Sequence, residues 1–383
     1  MIFLILSQII QDEFIIRFKD NFSKERFVKK YKSIIKKEIY GLSAVVIKAK
    51  DINKIEKNSN IAYIQNAVNY RITFIPNDSF FRKYQWNAYV TYLDKAWDIT
   101  KGSQTIGIAI IDQGVDYQHP DLFAQFDPLN KGYDFIDNDN DPLPNKNITT
   151  EIHGTHVAGI ISATMNNFIG VAGVGNFRLY SYRACDTIGN CSDYNVSSAI
   201  IMASKNPNVK VLNLSLGSTV GSNTMKEAID TAIKYNKILV VAAGNDGGLV
   251  NYPAAYDSVI AVGAWDTTSQ KASFSSWGKE LDIMAPGVWI ISTINSNLQA
   301  TNSCGINEIL KGYACLTGTS MATPFISGVV GLILSINPNL NFIQVRDILC
   351  STAEDVNLPG FDEKTGCGLV NVYKAIKKAQ KYQ

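Results

Sequence analysis

Four residues of this chain stand where they could carry out acyl transfer, and the first is Ser320. It lies in the heptad GTSMATP (residues 318–324), directly before the apolar run 325–334. A serine at the start of a buried helix has its hydroxyl near unpaired backbone N–H groups, which favour a developing negative charge. The same serine could simply cap the helix. Partner groups are needed to decide between the two.

A nucleophilic serine needs a base within hydrogen-bond reach and a third group that orients the base. His153 begins the segment HGTHVAG (residues 153–159), which resembles the start of a helix packed through small residues. His153 and His156 could together suggest zinc, but no acidic or cysteine ligand recurs at metal spacing. A proton-transfer base is the better interpretation of His153. For His156 we predict a buried structural role.

Asp112 and Asn245 are the candidates for the remaining roles. Asp112 closes the apolar run 106–111, where a buried carboxylate would be costly without a partner such as an imidazole N–H. Asn245 follows the apolar run 238–241 and ends in an amide that could donate to an oxyanion. Taken singly, each is an ordinary turn residue.

The elements that would position these groups alternate between strand and helix from about residue 81. The runs 106–111, 209–216, 238–243 and 259–262 are almost wholly apolar, which is typical of parallel strands covered on both faces. Helical segments are predicted at 197–204 and 224–235. This alternation predicts an α/β domain with a mainly parallel sheet and catalytic groups at the carboxyl ends of its strands.

The N-terminal part predicts a small α+β unit over residues 13–71. We expect strands at 13–18, 42–47 and 61–68, a helix over 23–39 and a short helix at 51–57. Residues 72–80 are predicted to be a linker. The apolar start of residues 1–12 weakly resembles a signal-peptide remnant, and a disordered or strand-forming end explains it equally well.

The order Asp112, His153, Asn245, Ser320, each in an extended motif, resembles the subtilisin-like serine proteases, or subtilases. The segments NYPA (251–254) and ASFS (272–275) match that family as well. The resemblance covers nearly all of residues 78–378 and is closest to the thermitase branch.

That resemblance implies a three-layer subtilisin-like fold for residues 81–383, with helices on both faces of the sheet. Residues 13–71 resemble the ferredoxin-like inhibitor propeptide of the family. The implied activity is that of a serine endopeptidase that works through an acyl-enzyme and is made as a self-processing zymogen. Ser320 would attack, His153 would move the proton, Asp112 would orient His153, and Asn245 would stabilise the oxyanion.

The resemblance also implies a peptide-binding cleft. One wall of the primary pocket is expected from Ser215, Leu216 and Gly217, and the other from Ala243 and Gly244. Asn251 would lie at the base of the pocket. Gly189 and Asn190 would form the edge that pairs with the substrate backbone. A disulfide between Cys185 and Cys191 would stiffen the edge. Because the pocket shows no acidic cluster, a broad preference for apolar residues is expected.

Two calcium sites are suggested by the same resemblance, because hard cations need several oxygen ligands on short loops. The first would use side chains and carbonyls from Asp78, Asp121, Met165, Asn167, Ile169 and Val171. The second would use the acidic run Asp134, Asp137, Asp139 and Asp141, for which a solvated loop is the alternative.

Composition limits the remaining possibilities. The 383 residues are 46% hydrophobic and 18% charged, as expected of a globular protein, and no apolar run reaches the length of a membrane span. The six cysteines fall into three local pairs, which favours short disulfide loops in a secreted, secretory or lysosomal protein. Unpaired thiols in the cytosol are the alternative, and six cysteines allow 15 connectivities.

Charge is unevenly distributed along the chain. Residues 1–76 hold 14 Lys and Arg against 7 Asp and Glu, a net of +7, and the remainder carries −5. The basic residues lack the interleaved aromatics of a nucleic-acid surface, so a partner of opposite charge within the chain is expected. That partner would be the protease, with the propeptide as inhibitor and folding chaperone of a monomeric enzyme.

Three positions depart from the usual subtilase pattern. Gln113 replaces the small hydroxyl residue that commonly follows the aspartate, Phe325 replaces a common histidine, and Asn251 stands where many members have glycine. All four catalytic residue types are present nonetheless. A catalytically silent subtilase acting as a binding or scaffold protein is the alternative function.

Overall fold

Contacts divide the chain into a small unit, Met1–Thr73, and a large one, Phe74–Gln383. The computed structural model describes residues 8–50, 52–55, 59–69, 74–301 and 303–382. The residues expected to form a signal-peptide remnant therefore lie partly outside the described residues, as do parts of the predicted short helix and linker.

Among its described residues, the small unit is an antiparallel sheet with one α-helix against it. Its elements are β1 (Gln8–Phe18), α1 (Asn21–Lys30), β2 (Ile35–Glu38), β3 (Ala44–Lys48) and β4 (Ile61–Asn69). The strand order is β2-β3-β1-β4, the order expected of a ferredoxin-like unit. Phe27 of α1 packs into a buried core with Ile16, Phe18, Val45 and Ile47.

Two expectations for this unit need correction. The predicted helix over 23–39 ends at Lys30, and Ile35–Glu38 forms a strand instead. Ile34 and Ile35 fit the helical spacing, but pairing of β2 with β3 provides backbone hydrogen bonds that the local pattern does not reveal. The first strand begins at Gln8 rather than at residue 13.

In the large unit, the apolar runs of the sequence form a parallel sheet, as predicted. Its strands are β5 (Gly107–Asp112), β6 (Gly132–Asp134), β7 (Arg178–Arg183), β8 (Val209–Leu214), β9 (Ile238–Ala242), β10 (Ile260–Trp265) and β11 (Ile283–Pro286). They pair in the order β11-β10-β9-β8-β5-β7-β6. Short antiparallel ribbons pair β12 (Ile290–Thr293) with β15 (Tyr313–Leu316) and β13 (Gln299–Ala300) with β14 (Leu310–Lys311).

Helices cover both faces of this sheet. They are α2 (Phe81–Tyr84), α3 (Trp86–Val90), α4 (Leu93–Ala96), α5 (His153–Ser162), α6 (Asp193–Lys205), α7 (Asn223–Lys234), α8 (Thr319–Ile336), α9 (Phe342–Thr352) and α10 (Val372–Ala379). Ile108 and Ile110 of β5 face one core with α5 and α8, whereas Ala109 and Ile111 face a second core with α6 and α7. Alternate strand residues point to opposite faces, so β5 is buried on both sides and the domain has three layers.

Helix α8 is the one described helix that is long and apolar enough to cross a membrane. Most of its residues are buried inside the protein, where it packs against α5 and the sheet. Phe325, one of the departures from the family pattern, is fully buried in this core. The helix is therefore accounted for as the central core helix, and it carries Ser320 in its first turn.

The six cysteines form three local disulfides, Cys185–Cys191, Cys304–Cys315 and Cys350–Cys367. The expectation of short disulfide loops is confirmed, and the structure supplies the connectivity that spacing alone leaves open.

Candidate active site

Asp112 and His153 form a hydrogen-bonded pair at the carboxyl edge of the sheet. Asp112 is the last residue of β5 and is buried, and His153 is the first residue of α5. The Nδ1 atom of His153 lies 2.9 Å from both carboxylate oxygens of Asp112. Gly154 permits this approach, since a Cβ atom there would lie 2.1 Å from the Gly114 carbonyl oxygen. The small residue after the histidine thus brings α5 against the end of β5.

The environment of the pair favours a protonatable base at position 153. Burial lowers the pKa of His153, but the Asp112 carboxylate opposes it, and the net pKa lies above the ordinary 6.5. Burial instead lowers the pKa of His156 to about 3. The Nε2 atom of His156 faces the carbonyl oxygens of Ile290 and Ala314 at 3.1 and 3.2 Å. The prediction that His156 is a buried structural residue is confirmed.

Ser320 lies in the first turn of α8, where its side chain and backbone are held by Ser215. Its hydroxyl donates to the Ser215 carbonyl oxygen at 3.1 Å, and the Ser215 hydroxyl donates to the Ser320 carbonyl oxygen at 3.0 Å. Among the described residues Ser320 thus has Ser215, and not His153, as its hydroxyl partner. Hydrogen bonds between nucleophile and base are often completed only when substrate binds.

Asn245 is oriented by the residue that precedes the serine. Its Oδ1 atom accepts from the backbone N–H of Thr319 at 2.9 Å and from the Thr319 hydroxyl at 3.0 Å. A backbone N–H can only donate, so this contact fixes which side of the amide is oxygen. The amide nitrogen is left as the donor, and Asn245 and Ser320 line the same pocket.

Two adjoining cavities surround these groups. The larger, of about 1500 Å³, is lined by Asp112 and His153 together with the predicted residues Ser215, Leu216, Gly217, Gly189 and Asn190. The smaller, of about 360 Å³, is lined by Ser320, Asn245, Leu216, Gly217, Gly244 and Asn251. Because the two share Leu216 and Gly217, they form one continuous groove past the serine, as a peptide chain would require.

Two features of the smaller pocket differ from expectation. Ala243 is fully buried in the core, and Ala242 lines the pocket instead. Asp246 also lines it, and its carboxylate accepts from the Asn251 amide at 2.7 Å. Asp246 is a single acid, so the expected lack of an acidic cluster in the pocket does not reveal it. Its place directly after Asn245 is the signal that could have found it.

The first predicted calcium set contains two buried carboxylates. Asp78 is 4% exposed and Asp121 is fully buried, and neither pairs with a lysine or arginine within the described ranges. Burial raises the pKa of both, that of Asp121 to about 7. The Asn167 amide donates to Asp121 at 2.6 Å, as does the Val171 N–H at 3.1 Å. Two buried acids beside the loop 165–171 fit a hard cation, toward which Asn167 would present its oxygen instead.

The second predicted set is already engaged with a protein cation. The Arg183 guanidinium lies 2.7 Å from Asp134 and 2.8 Å from Asp137, and it also pairs with the buried Glu151. Asp139 caps its own turn, and Asp141 accepts from the Tyr117 hydroxyl. Among the described residues no cluster of three or more acids, histidines or cysteines has metal-binding geometry. The arginine supplies the positive charge that a cation would bring to this run.

Comparison with known proteins agrees with this geometry. A family model described as the subtilase family matches residues 103–368. The chain belongs to the subtilase family. It is 37% identical to a thermophilic serine proteinase of Bacillus sp. strain AK1 in an alignment covering 96% of this chain and 88% of that protein.

Other relatives point the same way. The chain is 36% identical to thermitase of Thermoactinomyces vulgaris, over 79% of this chain and all of that protein. A crystal structure of a lanthipeptide protease superposes with a TM-score of 0.69 at 26% identity, covering 80% of this chain and 99% of that one. This subtilase is a serine endopeptidase with the three-layer fold expected from its sequence. None of these comparisons favours the catalytically silent alternative.

Proposed function

We propose that Asp112, His153, Ser320 and Asn245 are the catalytic residues of this endopeptidase. His153 takes the proton of Ser320 as the hydroxyl attacks the scissile carbonyl, and Asp112 holds the imidazole with Nδ1–H toward the carboxylate. The Asn245 amide and the Ser320 backbone N–H stabilise the tetrahedral oxyanion. His153 then protonates the leaving amine, and water releases the acyl group. The observation that carries the proposal is the Asp112–His153 pair beside the groove that Ser320 lines.

The substrate is proposed to be an extended peptide. Gly189 and Asn190 would form an edge for its backbone, and Leu216 and Gly217 line the groove where the two cavities adjoin. A broad preference for apolar side chains before the scissile bond is retained. Asp246 is an acid in the smaller pocket, and its carboxylate accepts from the Asn251 amide. Substituting Asp246 would therefore test the apolar preference.

Residues 13–71 are proposed to act as an inhibitor and folding chaperone that is removed by self-cleavage. The ferredoxin-like strand order and the net charge of +7 over residues 1–76, against −5 for the rest, support this role. The three disulfides support an oxidising compartment, and a relative from Natrialba magadii is named as an extracellular protease. We therefore propose that the mature enzyme is secreted.

A structural calcium ion is proposed at the first set only. The side chains of Asp78, Asp121 and Asn167 and the carbonyl oxygens of Met165, Ile169 and Val171 would hold it. When bound, the ion would neutralise the two buried carboxylates and stabilise the loop 165–171. No ion is proposed at the second set, because Arg183 already pairs with Asp134 and Asp137 there.

One experiment tests the proposed catalytic roles. The full chain and its Ser320→Ala variant are expressed with calcium, then examined for loss of the N-terminal segment and for labelling by a fluorophosphonate. We expect the wild-type chain to lose about 70 residues, roughly 8 kDa, and to be labelled, and the variant to do neither. A wild-type chain that stays intact and unlabelled would refute the assignment.

A further inference from the structure

Gln113, one of the departures from the family pattern, contacts both the base and the substrate edge. It is 4% exposed. Its Nε2 atom donates to the Asp186 carbonyl oxygen at 3.0 Å, and its Oε1 atom accepts from the His153 backbone N–H at 3.4 Å. Its own N–H donates to an Asp112 carboxylate oxygen at 2.8 Å. A small hydroxyl residue is too short for its side chain to reach both Asp186 and His153.

The segment that Gln113 holds on one side, residues 185–191, is here termed the edge loop. The Cys185–Cys191 disulfide closes it. Inside it, the Asp186 carboxylate accepts from the Ile188 N–H at 3.0 Å and the Asn190 N–H at 2.9 Å. The Asp186 N–H donates to the Asn190 carbonyl oxygen at 2.9 Å. The loop is thus a closed, internally hydrogen-bonded unit that presents Gly189 and Asn190 to the cleft.

Further contacts connect the edge loop to the catalytic pair. The backbone N–H groups of Ala184 and Cys185 donate to the Asp112 carbonyl oxygen at 2.9 and 3.1 Å. The Thr150 hydroxyl, three residues before His153, donates to the Thr187 carbonyl oxygen at 2.8 Å. Of these contacts, only the one between the Gln113 side-chain oxygen and the His153 backbone N–H involves His153 itself.

We propose that Gln113 is a positioning residue that couples the disulfide-closed edge loop to His153. Through it, the geometry of the loop that pairs with substrate also sets the geometry of the base. The proposal rests on the roles assigned above to Asp112 and His153. It predicts that opening the loop impairs kcat as well as KM, and that the effect on kcat requires the Gln113 side chain.

A double-mutant cycle tests this coupling. Gln113→Met keeps the volume of the side chain but removes both hydrogen bonds. The paired change Cys185→Ser and Cys191→Ser opens the loop. Each is expected to lower kcat for an extended peptide about tenfold. The combination should be little worse than either, because both changes break the same connection. The Cys350→Ser and Cys367→Ser pair is the control, and its effect should multiply with that of Gln113→Met.

A second readout separates positioning from loss of folded protein. Fluorophosphonate titration counts active sites, so kcat is referred to sites that react. The acid limb of the kcat/KM profile should move to lower pH in Gln113→Met, because a less constrained His153 is held less firmly against Asp112. If the Met variant does not fold, Gln113→Thr, the residue type common in the family, provides the same test.

The outcomes are decisive in both directions. Less-than-multiplicative effects and a shifted acid limb support the coupling. Effects of Gln113→Met and the opened loop that multiply, or an acid limb that stays in place, would overturn it. A wild-type chain that no fluorophosphonate labels would instead overturn the proposed catalytic roles, so the two failures are distinguishable.

Discussion

At the scale of single residues, Asn245 allows a direct test of the oxyanion role. Thr319 engages its side-chain oxygen, so the amide nitrogen is the group that can donate. In subtilisin, a member of this family, loss of one such donor lowers kcat by about 10²–10³, and we adopt that magnitude here. Asn245→Ala should therefore lose kcat with little change in KM. Asn297→Ala, at an exposed position, is the control. A rise in KM for Asn245→Ala as large as its fall in kcat would contradict the assignment.

His153 should show its pairing with Asp112 in its titration. A base must be neutral to accept a proton, and the carboxylate raises the pKa of His153 above 6.5. Activity should thus fall as the pH is lowered through a midpoint above 6.5. Nuclear magnetic resonance of the Ser320→Ala variant can follow the three histidines directly. Adding Asp112→Asn leaves burial unopposed, so the midpoint of His153 should drop, and a midpoint that does not move would refute the pairing.

At the scale of elements, Gly154 controls how closely α5 approaches β5. A Cβ atom there would lie 2.1 Å from a backbone oxygen of Gly114. Overpacking of this kind costs about 1–3 kcal/mol, so Gly154→Ala should lower the free energy of unfolding by that amount and displace His153. The measurement is guanidinium denaturation in the Ser320→Ala background and kcat in the active chain. At Gly248 an added Cβ atom would meet no neighbouring group within 4 Å, so Gly248→Ala should change neither the free energy of unfolding nor kcat.

The same scale shows why some of this molecule could be predicted and some could not. The strands of the large sheet are apolar on both faces, and Asp112 is found because it ends one of them. The helix predicted over 23–39 is wrong because β2 is determined by pairing with β3, a contact between residues distant in sequence. The ion pair between Arg183 and Asp134 likewise depends on the pairing of β6 with β7, which places the two residues opposite each other. Residue type and local period predict elements, but partners across the sheet require the fold.

At the scale of the whole molecule, the buried acids Asp78 and Asp121 predict a dependence of stability on calcium. A ligand present at 100 times its Kd stabilises the folded state by about 2.7 kcal/mol, which for a domain of this size raises Tm by about 4 °C. The Ser320→Ala chain, which cannot digest itself, should therefore melt at lower temperature after chelation. Asp121→Asn should abolish most of the difference between the calcium-loaded and chelated forms. Asp139→Asn, in the acidic run beside Arg183, should leave that difference intact. If Asp139→Asn removed the difference and Asp121→Asn did not, the stabilising ion would belong to the second acidic run, and the proposed calcium assignment would be wrong.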